Sequence, residues 1–404
     1  MTVVVADIVR ARSAIGDLVR HTPVLHSQML TERCGGHVAV KAESLQRTGS
    51  FKLRGALSKL AALGVAGCER GVVAGSAGNH AWALADAARA RGVPCEVFMP
   101  EQAPIAKIEG CVALGAVVRL AGDSLEDCFA AATARAEEGG LAFVHPFDDP
   151  DVVAGQGTVG LELLEDLDDL AKVVVPLGGG GLSSGVAIAV KSAYPAAEVV
   201  GVQADACAPF VESLRRGEPV GVASALSIAD GIAVKRPGKL TLGLVADWLD
   251  DVVAVGEDEV AEAMVLLMER SKLVVEGAGA VGVAALLGGQ VKPAPHGTTA
   301  VILSGGNVDP GLLAALARRH ETQAGRRLVL FTRLPDRPGS LARLLGAIAE
   351  SGANLVEVEH VREGVDLHVR QTAIQLVLET RGRDHAEDVL ATIARDGYVA
   401  RVVH

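Results

Sequence analysis

The sequence predicts an α/β fold: an open, twisted, parallel sheet followed by a small ferredoxin-like βαββαβ unit. Three observations carry that expectation. Half of the 404 residues are hydrophobic but only 3% are aromatic, and a palette rich in Ala, Val, Leu and Gly suits helices packed on a buried parallel sheet. From about residue 70, short apolar runs alternate with helix-length segments, the repeat of a parallel sheet whose ligands lie at the C-terminal ends of its strands. After about residue 310 the alternation gives way to the order β-α-β-β-α-β.

In chain order, GVVAGS (71–76) reads as a strand, AWALADAARARG (81–92) as a helix and CEVFMP (95–100) as a strand. A helix over 103–114, the strand AVVRL (116–120), a helix over 124–138 and the strand AFVH (142–145) follow. Next come a helix over 157–166, KVVVPL (172–177), a helix over 183–193, EVVGVQ (198–203) and, later, TTAVILS (298–304). LLAALARRHETQAGRR (312–327) is read as a helix ending in a polar, Gly-containing linker, which places a domain boundary at 322–327. The second unit then runs LVLFTRL (328–334), a helix opening at DRPGS (336–340), ANLVEVEHV (353–361), TAIQLVLET (372–380), a helix over 383–396 and YVARVV (398–403). Asp336 is expected to cap its helix with Pro338 near the first helical position, where a missing N–H costs nothing.

The formal charge is −11, with no basic run and no Lys/Arg stripe interleaved with aromatics. That argues against nucleic acid as a partner. Six cysteines are scattered without a C-x-x-C pair, so neither a zinc site nor a disulfide framework is indicated. The N-terminal segment is broken by charge every few residues, and no apolar stretch reaches membrane-spanning length. The expectation is a soluble, cytoplasmic protein with no membrane partner.

Five stretches are candidates for chemistry. Lys52 lies in SFKLRGA, just after a Thr-Gly-Ser turn. It is either an exposed charge at a helix start or a buried amine, and an apolar setting at a helix N-terminus depresses a lysine pKa as a nucleophilic amine requires. Ser76-Ala77-Gly78-Asn79-His80 follows a strand and opens a helix, so it is either an ordinary cap or an anion site for a substrate carboxylate. Gly178-Gly179-Gly180-Gly181-Leu182 follows an apolar strand. Four successive glycines cost chain entropy and suit a loop whose backbone must approach a phosphate closely. GAGAVG (277–282) has G-x-G-x-x-G spacing, but no acidic residue follows about twenty positions on, so it reads as close helix packing. Ser304, in SGGN, ends a strong strand and offers a hydroxyl.

Together these stretches resemble the pyridoxal 5'-phosphate (PLP) enzymes of fold type II, and among them the threonine dehydratases (threonine ammonia-lyases). The likeness runs through nearly the whole chain. It implies two open, twisted α/β subdomains in residues 1–322, the smaller, at about 48–148, inserted in the larger, and an ACT regulatory domain at 327–404. By resemblance Lys52 is the catalytic Schiff-base lysine and proton-transfer group, with Phe51 beside the cofactor ring. Ser76 to His80 would hold the substrate carboxylate, and Asn79 would also reach the pyridoxal 3-oxygen. Gly178 to Gly181 and Leu182 would cradle the phosphate, and Ser304 would bond the pyridine nitrogen, favouring β-elimination over transamination. Asp336, Arg337, Pro338, Gly339, Ser340 and Leu341, with Gly352 and Asn354, would line the amino-acid effector site. The implied reaction takes L-threonine, and L-serine, to a 2-oxo acid and ammonia in a dimer or tetramer.

The resemblance also sets alternatives. Serine racemases are similar, but they carry a second serine as a base where this chain has Ala77, and they bind a divalent ion through acidic residues where it has Gln203 and Pro209. No metal site is therefore expected. Cysteine synthases usually continue their lysine motif as K-D-R, where this chain has K-L-R-G-A. A non-catalytic amino-acid sensor and an NAD-dependent oxidoreductase built on GAGAVG remain as readings from other classes.

Overall fold

The computed structural model describes residues 2–223, 226–362 and 367–403. They form two compact units, Met1–Val308 and Asp309–His404.

The first unit holds two sheets. The larger runs in the order β1 (Val24–His26), β2 (His37–Lys41), β10 (Thr298–Ile302), β7 (Leu170–Pro176), β8 (Glu198–Ala204), β9 (Asp251–Val255). Only the β1–β2 pair is antiparallel. The smaller sheet runs β5 (Val117–Leu120), β4 (Cys95–Met99), β3 (Val72–Gly75), β6 (Ala142–Phe143), all parallel. The strands are apolar because helices cover both faces: Val173, Val174 and Val175 in β7, and Val97 in β4, are wholly buried.

Twelve α-helices of this unit are described: α1 (Val5–Ile15), α2 (Gln28–Cys34), α3 (Lys52–Gly67), α4 (Asn79–Arg91), α5 (Ile105–Ala113) and α6 (Leu125–Gly139), then α7 (Pro150–Asp166), α8 (Gly181–Ala193), α9 (Pro209–Arg216), α10 (Lys239–Trp248), α11 (Glu257–Leu266) and α12 (Gly277–Leu287). Helix α7 packs against α1, α3 and α8. It starts well before the expected 157, because Asp149 caps it, accepting from the N–H groups of Asp151 and Val152 at 2.9 and 3.2 Å, and Pro150 occupies its first turn. Its small-residue stretch AGQGTVG hides the helical period, yet it is what allows close approach: a Cβ on Gly160 would lie 2.8 Å from that of Ala189. The glycines of GAGAVG pack α12 closely, as expected, Gly282 against Val301 and Gly279 against Gly305.

One buried charge cluster ties these elements together. Arg54 of α3, fully buried, donates to Glu43 and to Glu162 of α7 at 2.6–2.9 Å. Lys41, also fully buried, pairs with Glu162 at 2.8 Å and Asp166 at 3.0 Å. Burial alone would lower the Arg54 pKa, but Glu43 and Glu162 more than offset it and hold it above its ordinary value.

The second unit contains α13 (Pro310–Gln323), β11 (Arg327–Pro335), α14 (Ser340–Glu350), β12 (Asn354–Val361), β13 (Gln371–Glu379), α15 (Arg383–Arg395) and β14 (Ala400–Val402). Its antiparallel sheet has the order β12-β13-β11-β14. Two expectations change here. Helix α13 packs on β11 and falls within this unit, so the division lies at its beginning and not at 322–327. Asp336 does not cap α14: Gly339, at φ +82°, precedes its first residue, and Pro338 lies outside the helix. The Asp336 N–H donates to Arg370 O and its carboxylate pairs with Arg362 at 3.3 Å, which draws it to β13 and away from the helix start.

Candidate active site

The ends of β3, β7 and β10 open on one cavity of about 680 Å³ in the first unit. Every catalytic, cofactor and substrate residue expected in this unit lines it: Phe51 and Lys52, Ser76 to His80, Gly178 to Leu182, and Ser304.

Lys52 is the first residue of α3. The turn before it is stitched to the end of β10, with Phe51 N–H donating to Ser304 O at 3.1 Å and Ser50 bridged to Gly305. The ammonium donates to Pro146 O at 2.9 Å and lies 5.1 Å from the Phe51 ring centroid. Desolvation lowers its pKa to about 8, against the pull of the Glu276 carboxylate. A substantial neutral-amine fraction is therefore present near physiological pH.

The Ser76–His80 turn hangs from β4, Ser76 N–H donating to Phe98 O at 2.9 Å, and Gly78 N–H donates to Ser76 Oγ at 3.2 Å. Asn79 opens α4, so the turn sits at the positive end of a 13-residue helix. His80 Nε2 donates to Val144 O at 2.9 Å, and burial followed by the Lys52 charge lowers its pKa to about 3. It is a neutral, anchored ring.

Helix α8 begins at Gly181, and the N–H groups of its first turn have no acceptor within the helix. The glycine loop has neighbours on its outer side. A Cβ on Gly178 would meet Ile232 at 2.9 Å, one on Gly181 would meet Phe147 O at 3.1 Å, and Gly180 is left-handed at φ +89°. Bare backbone is what fits between those walls and the cavity. The donor set thus fits PLP: an amine of depressed pKa for an aldehyde, a helix N-terminus behind a glycine loop for a phosphate, and the nearly buried Ser304 for a ring nitrogen.

Two further groups were not singled out by the sequence. Glu276, 6% exposed, accepts from Asn79 Nδ2 at 2.7 Å, and burial first, then Asp230, raises its carboxyl to about 7. Asn307 Nδ2 donates to Asn79 Oδ1 at 2.7 Å. Glu276 directly precedes GAGAVG and Asn307 ends SGGN, but only the fold brings them to Asn79. At the rim, Lys107 faces Asp230 at 3.7 Å and Lys235 pairs with Glu126 at 2.9 Å. Gln203 is fully buried, its Nε2 donating to Leu177 O and its Oε1 accepting from Phe210 N–H, so both ends of its amide are engaged by the protein.

The expected effector residues are not brought together within one domain. Asp336 to Leu341 lie at the N-terminal end of α14, where the Ser340 hydroxyl is buried without a hydrogen-bond partner. Gly352 and Asn354 lie past its C-terminal end, with Asn354 Nδ2 donating to Glu379 at 2.9 Å. The helix between them has 11 residues, a separation of about 16 Å.

The pattern of the pyridoxal-phosphate dependent enzymes matches residues 15–305, and that of the ACT domain matches residues 328–396. The L-threonine ammonia-lyase of Thermotoga maritima is 44% identical over 397 residues, 98% of this chain and 98% of that protein. The catabolic L-threonine dehydratase of Escherichia coli K12 is 42% identical over 310 residues, covering 76% of this chain and 94% of the relative. The solved structure of maize serine racemase superposes with a TM-score of 0.75 at 34% identity, over 80% of this chain and 99% of that one. Among the described residues, no helix is long and apolar enough to cross a membrane.

Proposed function

Because the chain belongs to the pyridoxal-phosphate dependent enzymes and carries an ACT domain, we propose that its cavity deaminates L-threonine, and L-serine, as an ammonia-lyase. The observation that carries this reading is that the Lys52 amine, its pKa lowered by burial, and the glycine-lined N-terminus of α8 line one cavity. The 44% identity to a threonine ammonia-lyase over 98% of both chains supports the substrate.

When bound, PLP supplies the sink for the electron pair left at the substrate Cα. The chain's residues do the rest. Gly178 to Gly181 and the N-terminus of α8 would hold the phosphate, Phe51 would lie beside the ring and Ser304 would offer its hydroxyl to the ring nitrogen. The Ser76–His80 turn takes the substrate carboxylate at the N-terminus of α4. Lys52 Nζ, as a neutral amine, accepts the Cα proton and can then hand it to the departing β-hydroxyl, which leaves as water. The resulting enamine takes up water and releases ammonia, so threonine gives 2-oxobutanoate with no net redox change. His80, neutral and bonded to Val144, orients the turn without exchanging protons in this range.

The likeness to a serine racemase raises a second reading, and Ala77 weighs against it. Its methyl group cannot return a proton to the opposite face of Cα, which leaves the proton transfers to Lys52. Discrimination between threonine and serine rests on one methyl, worth about 1–3 kcal/mol. The ACT domain is read as an amino-acid sensor in a homo-oligomer, since the two effector segments lie at opposite ends of α14 and can meet only across paired domains. A cytoplasmic setting accords with six free cysteines.

The test is 2-oxo acid formation from L-threonine and L-serine with added PLP, repeated with isoleucine and valine. Formation of 2-oxobutanoate is expected. A PLP-loaded protein that converts neither amino acid overturns the substrate assignment.

A further inference from the structure

The side-chain amide of Asn79 is held at both ends. Its Nδ2 donates to Glu276 Oε1 and its Oδ1 accepts from Asn307 Nδ2, each at 2.7 Å. The same Asn307 nitrogen donates to the backbone carbonyl of Thr48 at 2.8 Å. A backbone carbonyl only accepts, and an amide nitrogen has two hydrogens. Thr48 O and Asn79 Oδ1 therefore use both donors of Asn307, and the direction of every bond in the chain is set from its Thr48 end.

Glu276 closes the other end, its backbone N–H donating to Gly305 O at 3.0 Å. Turning the Asn79 amide over would set its oxygen against the Glu276 carboxylate and its nitrogen against the Asn307 amide nitrogen, losing two buried hydrogen bonds. The Asn79 nitrogen is left with one uncommitted N–H, in the cavity that Lys52 also lines.

We propose that Glu276 and Asn307 are positioning residues that fix the donor polarity of Asn79, so that this point of the cavity takes a ligand oxygen that accepts a hydrogen bond. The inference rests on the reading of Asn79 as a ligand-facing residue given above. Two ligand oxygens share the required chemistry: the phenolic oxygen of the cofactor and the carboxylate of the substrate. The relay acts through Asn79 and does not touch the reacting atoms.

The experiment measures the PLP dissociation constant of the apo-protein, and KM for L-threonine of the loaded protein, in wild type, Glu276→Ala, Glu276→Gln, Asn307→Ala and Asn79→Ala. Glu276→Ala and Asn307→Ala should each weaken one of the two constants about tenfold, the effect of one lost buried hydrogen bond. Glu276→Gln, which keeps an acceptor at the same reach, should restore most of the loss. In an Asn79→Ala background Glu276→Ala should have no further effect. A change in the PLP constant assigns the oxygen to the cofactor, and a change in KM alone assigns it to the substrate. The relay is overturned if Glu276→Gln is as damaging as Glu276→Ala, or if the Glu276→Ala effect persists without Asn79. Should Glu276→Ala not fold, Asn307→Ala and Glu276→Gln decide the matter: wild-type constants in the former overturn the relay. A wild type that fails to capture PLP sinks the reading of the whole site, whereas a wild type that captures it, with variants unchanged, sinks only the relay.

Discussion

At the scale of the residue, Lys52 shows how an ordinary charged side chain becomes a reagent. It stands at the start of α3, where the helix dipole disfavours a cation, and desolvation lowers its pKa to about 8. Only the neutral amine can attack an aldehyde. The rate at which the apo-protein captures PLP should therefore rise about tenfold per pH unit below 8 and level off above it. Stopped-flow absorbance across pH 6–10 checks this, and a rise continuing toward the pKa of an ordinary lysine, about 10.4, would show that Lys52 is not desolvated. Lys52 was singled out by the resemblance that SFKLRGA and the other motifs carry together, since the lysine alone reads also as an exposed charge at a helix start. Glu276 was not, because an acidic residue ahead of a helix is a common cap, and nothing local shows that Asn79 will meet it from 197 positions away.

At the scale of the element, α3 and α7 are fastened by charge as well as by packing. Arg54 stands two residues after Lys52 and is buried between Glu43 and Glu162. Removing Glu162 takes a buried carboxylate from both Arg54 and Lys41 and leaves the cluster with an excess of buried positive charge, so Glu162→Ala should cost about 3–5 kcal/mol in chemical denaturation. The sign with pH follows from the Glu162 carboxyl, which burial raises but Arg54 and Lys41 pull below its ordinary value overall. Its contribution is present above the unfolded pKa and is lost as pH falls through the folded one. Wild type should therefore lose more stability than Glu162→Ala on acidification from pH 5; parallel losses would contradict the ion-pair account. The sequence showed most strands of this unit clearly, since Val-rich runs bounded by Gly or Pro are local signals. It hid the start of α7, where small residues needed for helix contact erase the apolar period. It also misplaced the start of α14, where Asp336 and Pro338 mimic a cap but a long-range bond to Arg370 takes Asp336 elsewhere.

At the scale of the whole molecule, the pyridoxal-phosphate dependent enzyme pattern and the ACT pattern fall in separate compact units, Met1–Val308 and Asp309–His404. A catabolic threonine dehydratase matches 310 residues over 94% of its own length, so a protein little longer than the first unit exists among its relatives. A chain ending at Val308 should keep threonine deamination and lose any response to isoleucine or valine. A truncated protein that folds, measured by circular dichroism, but still responds would contradict the assignment of sensing to the ACT domain. The two-unit plan was legible because the change from parallel to βαββαβ order is a change of pattern. Where helix α13 belongs was not, since its contact with β11 is tertiary.

Lys52 is the residue proposed to carry the cofactor. Borohydride reduction of the PLP-loaded protein, followed by proteolysis and mass spectrometry, tests this most directly. The predicted result is a phosphopyridoxyl group on the peptide that contains Lys52, absent in Lys52→Ala. A stable label on any other lysine, or an unchanged label in Lys52→Ala, would contradict it.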